Sequence, residues 1–562
     1  MIWDIQATEA IKILDISYRH LIFETGDEMY LTDQGVAVWQ HLLPHNFWTD
    51  KDWFQTHSER QTGSGNVYKI RTKPIDENPL DIVLKWNRMG VDVPGETFDE
   101  MSTMGNARFL SPFEEFQILQ ELKVSLQDVP YAFALQVPLA IYVPATREEY
   151  TRLGRRHYLM AFIQQQHKQD VGIDIDRNYA VIYQWLEGMN IVQAYKRGFV
   201  QQQDVYDLTE QAAGEMRDHG FVVADHKAEH LIVKPIGTNV FRDGHGNIRY
   251  GYVDYELLER TPERENVIRQ KRRHGYLMHM PKRFDEYTIA ESLLRPMHIF
   301  GVPYLYSEVP SSKGRLWVVG NDPFLFDYFL PEKWRYVNRT RLSRHHDIFH
   351  KVSKDGIHLV LKTSKVGEQP DVDPFNERDR KILEYGFNSP FEEVALALEL
   401  NRKELPTIYP RAIYMTGTTT TILEEDLDHS RYVSHADIVV PDKHEPILKK
   451  CHDYIILWGY WNGSDEMLAA YDGKYYTAVN ALSAYRQHMI SQDTYFAVMA
   501  MIRDKMLVVG VEDLNLRGTH ILLALNDRRE IITGHDGLPF TRICNFECLK
   551  RIEPFHSLAL SE

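Results

Sequence analysis

Cysteine is nearly missing from this chain: Cys451, Cys544 and Cys548 are the only three in 562 residues. That argues against a disulfide framework and fits a reducing compartment. Cys544 and Cys548 have no second pair with which to build a zinc site, so they read as small buried apolar residues. No apolar run approaches the roughly 18 to 20 residues of a membrane span. Positive charge is in deficit, with 64 Lys and Arg against 80 Asp and Glu and a formal net charge of −16. Nucleic acid is therefore not expected as a partner, because phosphate backbones are held by basic surfaces. Low-complexity tracts and long flexible linkers are lacking too. The opening MIWDIQATEAIKIL has no basic segment ahead of an apolar core, so a cytoplasmic location without a signal peptide is expected. An effector exported without a cleavable signal would have the same composition.

What is present is an ordinary globular composition, 43% hydrophobic and 26% charged, at a length that predicts two to four domains. It also holds a long internal repeat. FLSPFEEFQILQEL (109–122) matches FNSPFEEVALALEL (387–400), and DIVLK ending at Lys85 matches HLVLK ending at Lys362. VPLAIYV (137–143) resembles YPRAIYM (409–415), and AVIYQWLEG (180–188) resembles YIILWGYWNG (454–463). FVVADHKAEHLIV (221–233) aligns with VEDLNLRGTHILL (511–523), and VDYELLER (253–260) with CNFECLKR (544–551). Blocks recurring in one order indicate a tandem duplication, with domains 1–285 and 286–562 and a boundary near residues 280 to 290. The basic stretch 260–285 is the expected connector; its charges read as a solvated helix face or as a patch for a phosphate or partner.

Each half has the same coarse profile. Strand-like runs come first, then a helix opened by Ser-Pro-Phe-Glu-Glu, with Ser111 as N-cap, Pro112 at the first helical position and glutamates at the positive end of the helix dipole. More strands follow, then helices over 190–220 and 464–505, then two short strands that close the half. The expected class is α+β, a two-lobed unit repeated twice.

The residues with chemical promise sit in the first half. Asp225 follows two β-branched apolar residues, His230 comes five positions later, and Asp254 ends a second strand-like run. Two carboxylates and a third ligand type on neighbouring strands suit a magnesium-nucleotide site. The plain alternatives are loop carboxylates and a buried histidine bonded to backbone. Upstream, Gly63 and Gly65 in TGSGNVYK make a turn able to approach phosphates without a Cβ in the way. Lys85 ends an apolar strand, where an ammonium is costly unless paired; otherwise its stem packs and its amine reaches water.

With these motifs in order, the first half resembles the protein kinase-like superfamily, in an atypical tandem kinase–pseudokinase form. The resemblance implies two tandem two-lobed domains, each with a β-rich N-lobe and a reduced, mainly helical C-lobe. It implies ATP and Mg²⁺ as cofactors, with Gly63 and Gly65 over the phosphates. Lys85 would touch the phosphates and be bridged by Glu115 of the SPFEE helix, with Tyr183 and Trp185 in the hinge that holds adenine. Asp225 takes the place of the base for an attacking hydroxyl, Lys227 that of the lysine neutralising the transferred phosphoryl group, and Asp254 that of the principal metal ligand. His230 stands where the family has a metal-binding Asn, as in bacterial lipopolysaccharide-core kinases; a nitrogen ligand there either shifts preference towards Mn²⁺ or leaves one metal weakly held.

The sequence also departs from the family. The His and Arg before the base are Val223 and Ala224, and the glycine after the metal aspartate is missing from Asp254-Tyr255-Glu256. No peptide-substrate platform follows, which points to a small molecule, a sugar or one dedicated protein as the hydroxyl-bearing acceptor. In the second copy Lys362, Glu393 and His520 remain, while Asn515, Arg517 and Asn545 replace Asp225, Lys227 and Asp254. An amide is neither a base nor an anionic metal ligand, so the C-terminal half reads as a catalytically dead scaffold or regulator. The expected activity is ATP-dependent phosphate transfer by the first half. Nucleotidyl transfer or another ATP-driven ligation, and a non-catalytic nucleotide-binding or interaction scaffold, are the alternatives.

Overall fold

A computed structural model describes residues 10–61, 66–93, 107–127, 133–157, 159–160, 163, 172–287, 294–309, 312–335, 337–343, 347–420, 427–441, 443–460, 478–526 and 528–552. The chain divides into two compact units, Met1–Val267 and Ile268–Glu562. The division falls inside a helix, Pro262–His279, earlier than the boundary expected near 280 to 290. That basic stretch is an ordered element. In the second unit Arg272 pairs with Asp355 at 3.0 Å and with Asp327, and Tyr276 is buried against Tyr328 and Phe329.

Both units are mixed α and β, each built on an eight-stranded sheet. In the first, the spatial order is Ala10–Ile13, Ile16–Ile22, Glu28–Leu31, Pro138–Val143, Ala180–Gln184, Asp81–Trp86, Val67–Arg71 and Ser58–Arg60. In the second it is Arg295–Ile299, Val302–Val309, Gly314–Val319, Pro410–Thr419, His452–Gly459, His358–Thr363, Ile348–Val352 and Arg339–Arg341. Every neighbouring pair in these sheets is antiparallel. The two sheets thus share one strand order, strand for strand, including the jumps out of sequence.

Alternation along the strands decides what faces what. In Asp81–Trp86, Ile82 and Leu84 join Leu21, Met29, Leu31, Leu42 and Phe47 on one face. Val83 points the other way, into a core with Phe113, Phe116 and Leu119 from the helix Pro112–Ser125. Lys85 is two residues on from Val83 and so belongs to that second, helix-bearing face. The helix starts as expected: Ser111 and Glu114 form a reciprocal capping box with Pro112 in the first turn, and Ser389 and Glu392 repeat it in the second unit.

The N-terminal run is not strand alone. Four short helical segments, Asp33–Ala37, Trp39–Leu42, Pro44–Phe47 and Lys51–His57, interrupt it and bring Leu42 and Phe47 onto the sheet. The helices expected over 190–220 are Ile191–Lys196 and Gln202–Asp218. Their counterparts are Ala481–Arg486 and Gln492–Val508; 461–477 lies outside the described residues.

Candidate functional site

Two small strand pairs build the site in the first unit. Phe221–Val223 pairs with Leu258–Arg260, and Leu231–Val233 pairs with Tyr250–Tyr252. Asp225 lies just beyond the first strand of one pair, and Asp254 just beyond the last strand of the other. Between them Ala228–His230 forms a 3₁₀ turn. Backbone bonds lock the corners: Ala224 N–H donates to Leu257 O at 3.0 Å and Val253 N–H to His230 O at 3.0 Å. His226 adds a side-chain brace, its Nε2 on Thr209 O at 2.9 Å and its Nδ1 on the Tyr252 hydroxyl at 2.7 Å. Asp225, His230 and Asp254 are thereby brought together with one ligand atom each, all within 4.8 Å of one another. They form the one cluster of three or more potential metal ligands among the described residues.

Asp254 adopts φ +73°, a left-handed conformation that Asp and Asn tolerate far better than other side chains. Its carboxylate accepts from Lys85 Nζ and lies 3.6 Å from His230 Nε2. Burial pushes the carboxyl upward, but Lys85 and His230 outweigh it and hold Asp254 below the usual carboxylate range. His230 is 4% exposed. Burial lowers its pKa against the pull of Asp254 and Asp225, so it stays a neutral imidazole fit to ligate. Its ring makes no hydrogen bond to backbone among the described residues, and Nδ1 is buried without a partner. Asp225 Oδ1 is likewise buried and unpartnered, while Oδ2 lies 3.5 Å from Lys227 Nζ. The Lys227 side chain is 49% exposed and free to swing towards a bound group.

These features fit a divalent cation. Two carboxylates and a neutral imidazole converge, and the buried Asp225 Oδ1 has no donor, so it is able to accept from an incoming hydroxyl or to meet a cation. The second unit supplies the contrast. Asn545 Oδ1 accepts from Lys362 at 3.1 Å and its Nδ2 contacts His520 Nε2 at 3.1 Å. The amide satisfies both neighbours with no cation. His520 Nδ1 is unpartnered as in His230, so the orphaned Asp225 oxygen, not the histidine, distinguishes the two sites.

The lysine-to-helix bridge expected in the first unit is not formed. Lys85 Nζ meets Asp254 and, at 3.3 Å, Glu256 Oε2. Glu115 instead accepts from the Tyr183 hydroxyl at 2.6 Å and from Asn87 Nδ2 at 3.4 Å. Lys362 does make the bridge, to Glu393 at 2.9 Å. The Asp254 carboxylate draws Lys85 towards itself, whereas Lys362 divides its bonds between Glu393 and the uncharged amide of Asn545.

Tyr183 and Trp185, expected in the hinge, stand at the end of one strand. Tyr183 belongs to the strand Ala180–Gln184, pairs with Val83 and is buried on the same face as Val83. Trp185 follows the strand, donating its backbone N–H to Asp81 O at 3.0 Å, with the Lys69 ammonium 4.4 Å above its ring. Gly188 has φ +147°, and a Cβ there would stand 2.5 Å from Val233 O, so only glycine lets this turn lie against the strand. Gly63 and Gly65 fall outside the described residues.

Burial pushes the Glu115 carboxyl from an ordinary 4.5 up to about 7, with Lys85 and the Tyr183 hydroxyl pulling the other way. The folded state then holds this proton more tightly than the unfolded chain. Its stabilisation is full below pH 4.5 and is lost as pH rises to about 7. Glu115→Gln is expected to flatten the first unit's stability across that window, as read by urea unfolding; an unchanged slope would mean the carboxyl is ionised throughout.

Glu256 was not singled out from the sequence. It is fully buried, between Lys85 and Arg88, with Arg88 over the Phe109 ring at 4.1 Å. The signal was available: Glu256 aligns with Glu547, which meets Lys362 at 3.0 Å and Lys365 at 3.7 Å.

No protein-family model matches the sequence, and no curated protein does. Among solved structures the chain is similar to a co-crystal structure of WbdD and a kinase inhibitor, at TM-score 0.18 and 11% identity. The match covers 40% of this chain and 40% of that one, so it spans well under half of either protein. No described helix is long and apolar enough to cross a membrane.

Proposed function

We propose that the first repeat, residues 1–285, is an ATP-dependent phosphotransferase that moves the γ-phosphate to a hydroxyl acceptor, and that the second repeat, 286–562, is a non-catalytic copy. The observation that carries this reading is the convergence of Asp225, His230 and Asp254 within 4.8 Å beside a buried lysine. In the second unit the matching acids are amides and the cluster is closed by its own hydrogen bonds. Asp254 and His230 would hold the Mg²⁺ or Mn²⁺, which would offset the charge of the nucleotide phosphates. Lys85 supplies a fixed positive charge for the same phosphates. Asp225 orients the acceptor hydroxyl and takes its proton, and Lys227 reaches the phosphoryl group in transit. The ammonium of Lys69 over Trp185 lines the turn proposed to hold the base.

The test is ATP turnover by the full chain in Mg²⁺ and in Mn²⁺, with the product weighed by mass spectrometry. Wild type should transfer phosphate, and Asp225→Asn, which copies Asn515, should lose about 10²- to 10⁴-fold in kcat. A product heavier by AMP would move the reaction to nucleotidyl transfer. Nucleotide binding without turnover in wild type and variant alike would make the unit a binding module.

A further inference from the structure

We propose that Glu256, two residues beyond Asp254, is the positioning residue that holds Lys85 for nucleotide, in place of the helix glutamate Glu115. The inference rests on the phosphotransferase reading of the site. Of the carboxylates touching the strand lysine, the one shared by both units is on this segment: Glu256 at 3.3 Å from Lys85, and Glu547 at 3.0 Å from Lys362. Contact with the helix glutamate varies, being present at Glu393 and not formed at Glu115.

The second cation is shared as well. Arg88 stands three residues after Lys85 and pairs with Glu256; Lys365 stands three after Lys362 and faces Glu547. A fully buried carboxylate is tolerated only with such partners, and here two cations flank it in each unit. The segment is fixed from outside as well. Leu110 N–H donates to Glu256 O at 2.9 Å and Asn388 N–H to Glu547 O at 2.8 Å. Lys85 therefore takes its position from a short segment that is itself anchored to the residue preceding the helix N-cap Ser111, not from a side chain within the helix Pro112–Ser125.

Glu256 has a further task. Asp254 serves two cations, Lys85 and the proposed metal. When Asp254 turns to the metal, Glu256 keeps Lys85 neutralised and in place. With Glu256 gone, Lys85 has Asp254 as its near carboxylate and competes with the metal for it.

The experiment measures ATP turnover by the full chain against Mg²⁺ and against ATP for wild type, Glu256→Gln, Glu256→Asp, Glu115→Gln and Glu547→Gln. Losing one charged hydrogen bond should raise both the half-saturating Mg²⁺ and the KM for ATP about tenfold in Glu256→Gln. Glu547→Gln removes an equally buried acid from the other unit; it should lose comparable thermal stability with both constants at wild-type values. Should Glu256→Gln fail to fold, Glu256→Asp keeps the charge for Arg88 but withdraws it from Lys85, and should raise both constants about threefold. Wild-type constants in the folded Glu256 variant, or a larger shift in Glu115→Gln, would overturn the assignment while the phosphotransferase reading stands. A wild type with no metal-dependent turnover would overturn that reading first, and this inference with it.

Discussion

Asp254→Asn is expected to lower ATP turnover by at least about 10³-fold while leaving the first unit folded. Both halves of that expectation come from local geometry. The carboxylate is one of the two anionic groups in the cluster, and an amide at this register already exists in the second unit as Asn545, which has closed its surroundings with its own hydrogen bonds. The backbone at Asp254 is left-handed, with φ +73°, and asparagine accepts that conformation. Alanine would add roughly 1–2 kcal/mol of backbone strain, so Asp254→Ala mixes two effects where Asp254→Asn isolates one. Lys85 keeps Glu256 at 3.3 Å, so its buried charge is not stranded, and stability should fall by only about 1 kcal/mol. Turnover assays and urea unfolding measure the two effects separately. Turnover within tenfold of wild type would remove Asp254 from the metal site.

Lys85→Met should produce the largest loss of stability of any single change here. The ammonium is buried among Asp254, Glu256 and Glu115. Burial works against its charge, and Asp254 first, then Glu256 and Glu115, raise its pKa regardless. Methionine fills the stem's space but leaves Asp254 short of its counter-charge and Glu256 with Arg88 alone. Breaking a buried pair in this way costs about 3–5 kcal/mol. The pH dependence has a definite sign. Without the lysine, burial raises the Asp254 carboxyl and the folded state binds that proton more tightly than the unfolded chain does, so the deficit shrinks as pH falls from neutrality. Urea unfolding at two pH values reads both magnitude and slope. A deficit below about 1 kcal/mol would mean that the amine sits in water, as in a surface pair. Lys362→Met should destabilise the second unit comparably, because Glu393 and Glu547 both lose their partner.

Lys85, Asp225 and Asp254 could be singled out in the sequence because each ends or follows a short apolar run, and His230 because it directly precedes one; the repeat supplied a comparison for every one. Glu256 was legible in principle, since its match with Glu547 was already in the aligned blocks; an acid with no role in the resembling family drew no notice. The strand end at Tyr183 was legible, but the direction of its side chain was not used. In the antiparallel pairing Tyr183 lies opposite Val83, on the core face, where a hydroxyl needs a partner and finds Glu115. The four N-terminal helical segments escaped because four to seven residues are too few for a helical period to register, although Thr32 and Asp50 cap two of them. The choice of Lys85 between Glu115 and Asp254 depends on distances no sequence pattern encodes.

Two sheets of one strand order on a single chain pose a problem during synthesis, because strands of the first repeat are emerging templates for those of the second. The outermost strands bear on it. Ser58–Arg60 and Arg339–Arg341 are three residues each and end their sheets. Short, charged borders of this kind are poor docking rails for a stray strand. Arg339 and Arg341 would also meet like charges if a second copy of that edge lay alongside. The duplication therefore carries its own safeguard against cross-pairing, placed at the rim farthest along each sheet from the first strand to be made.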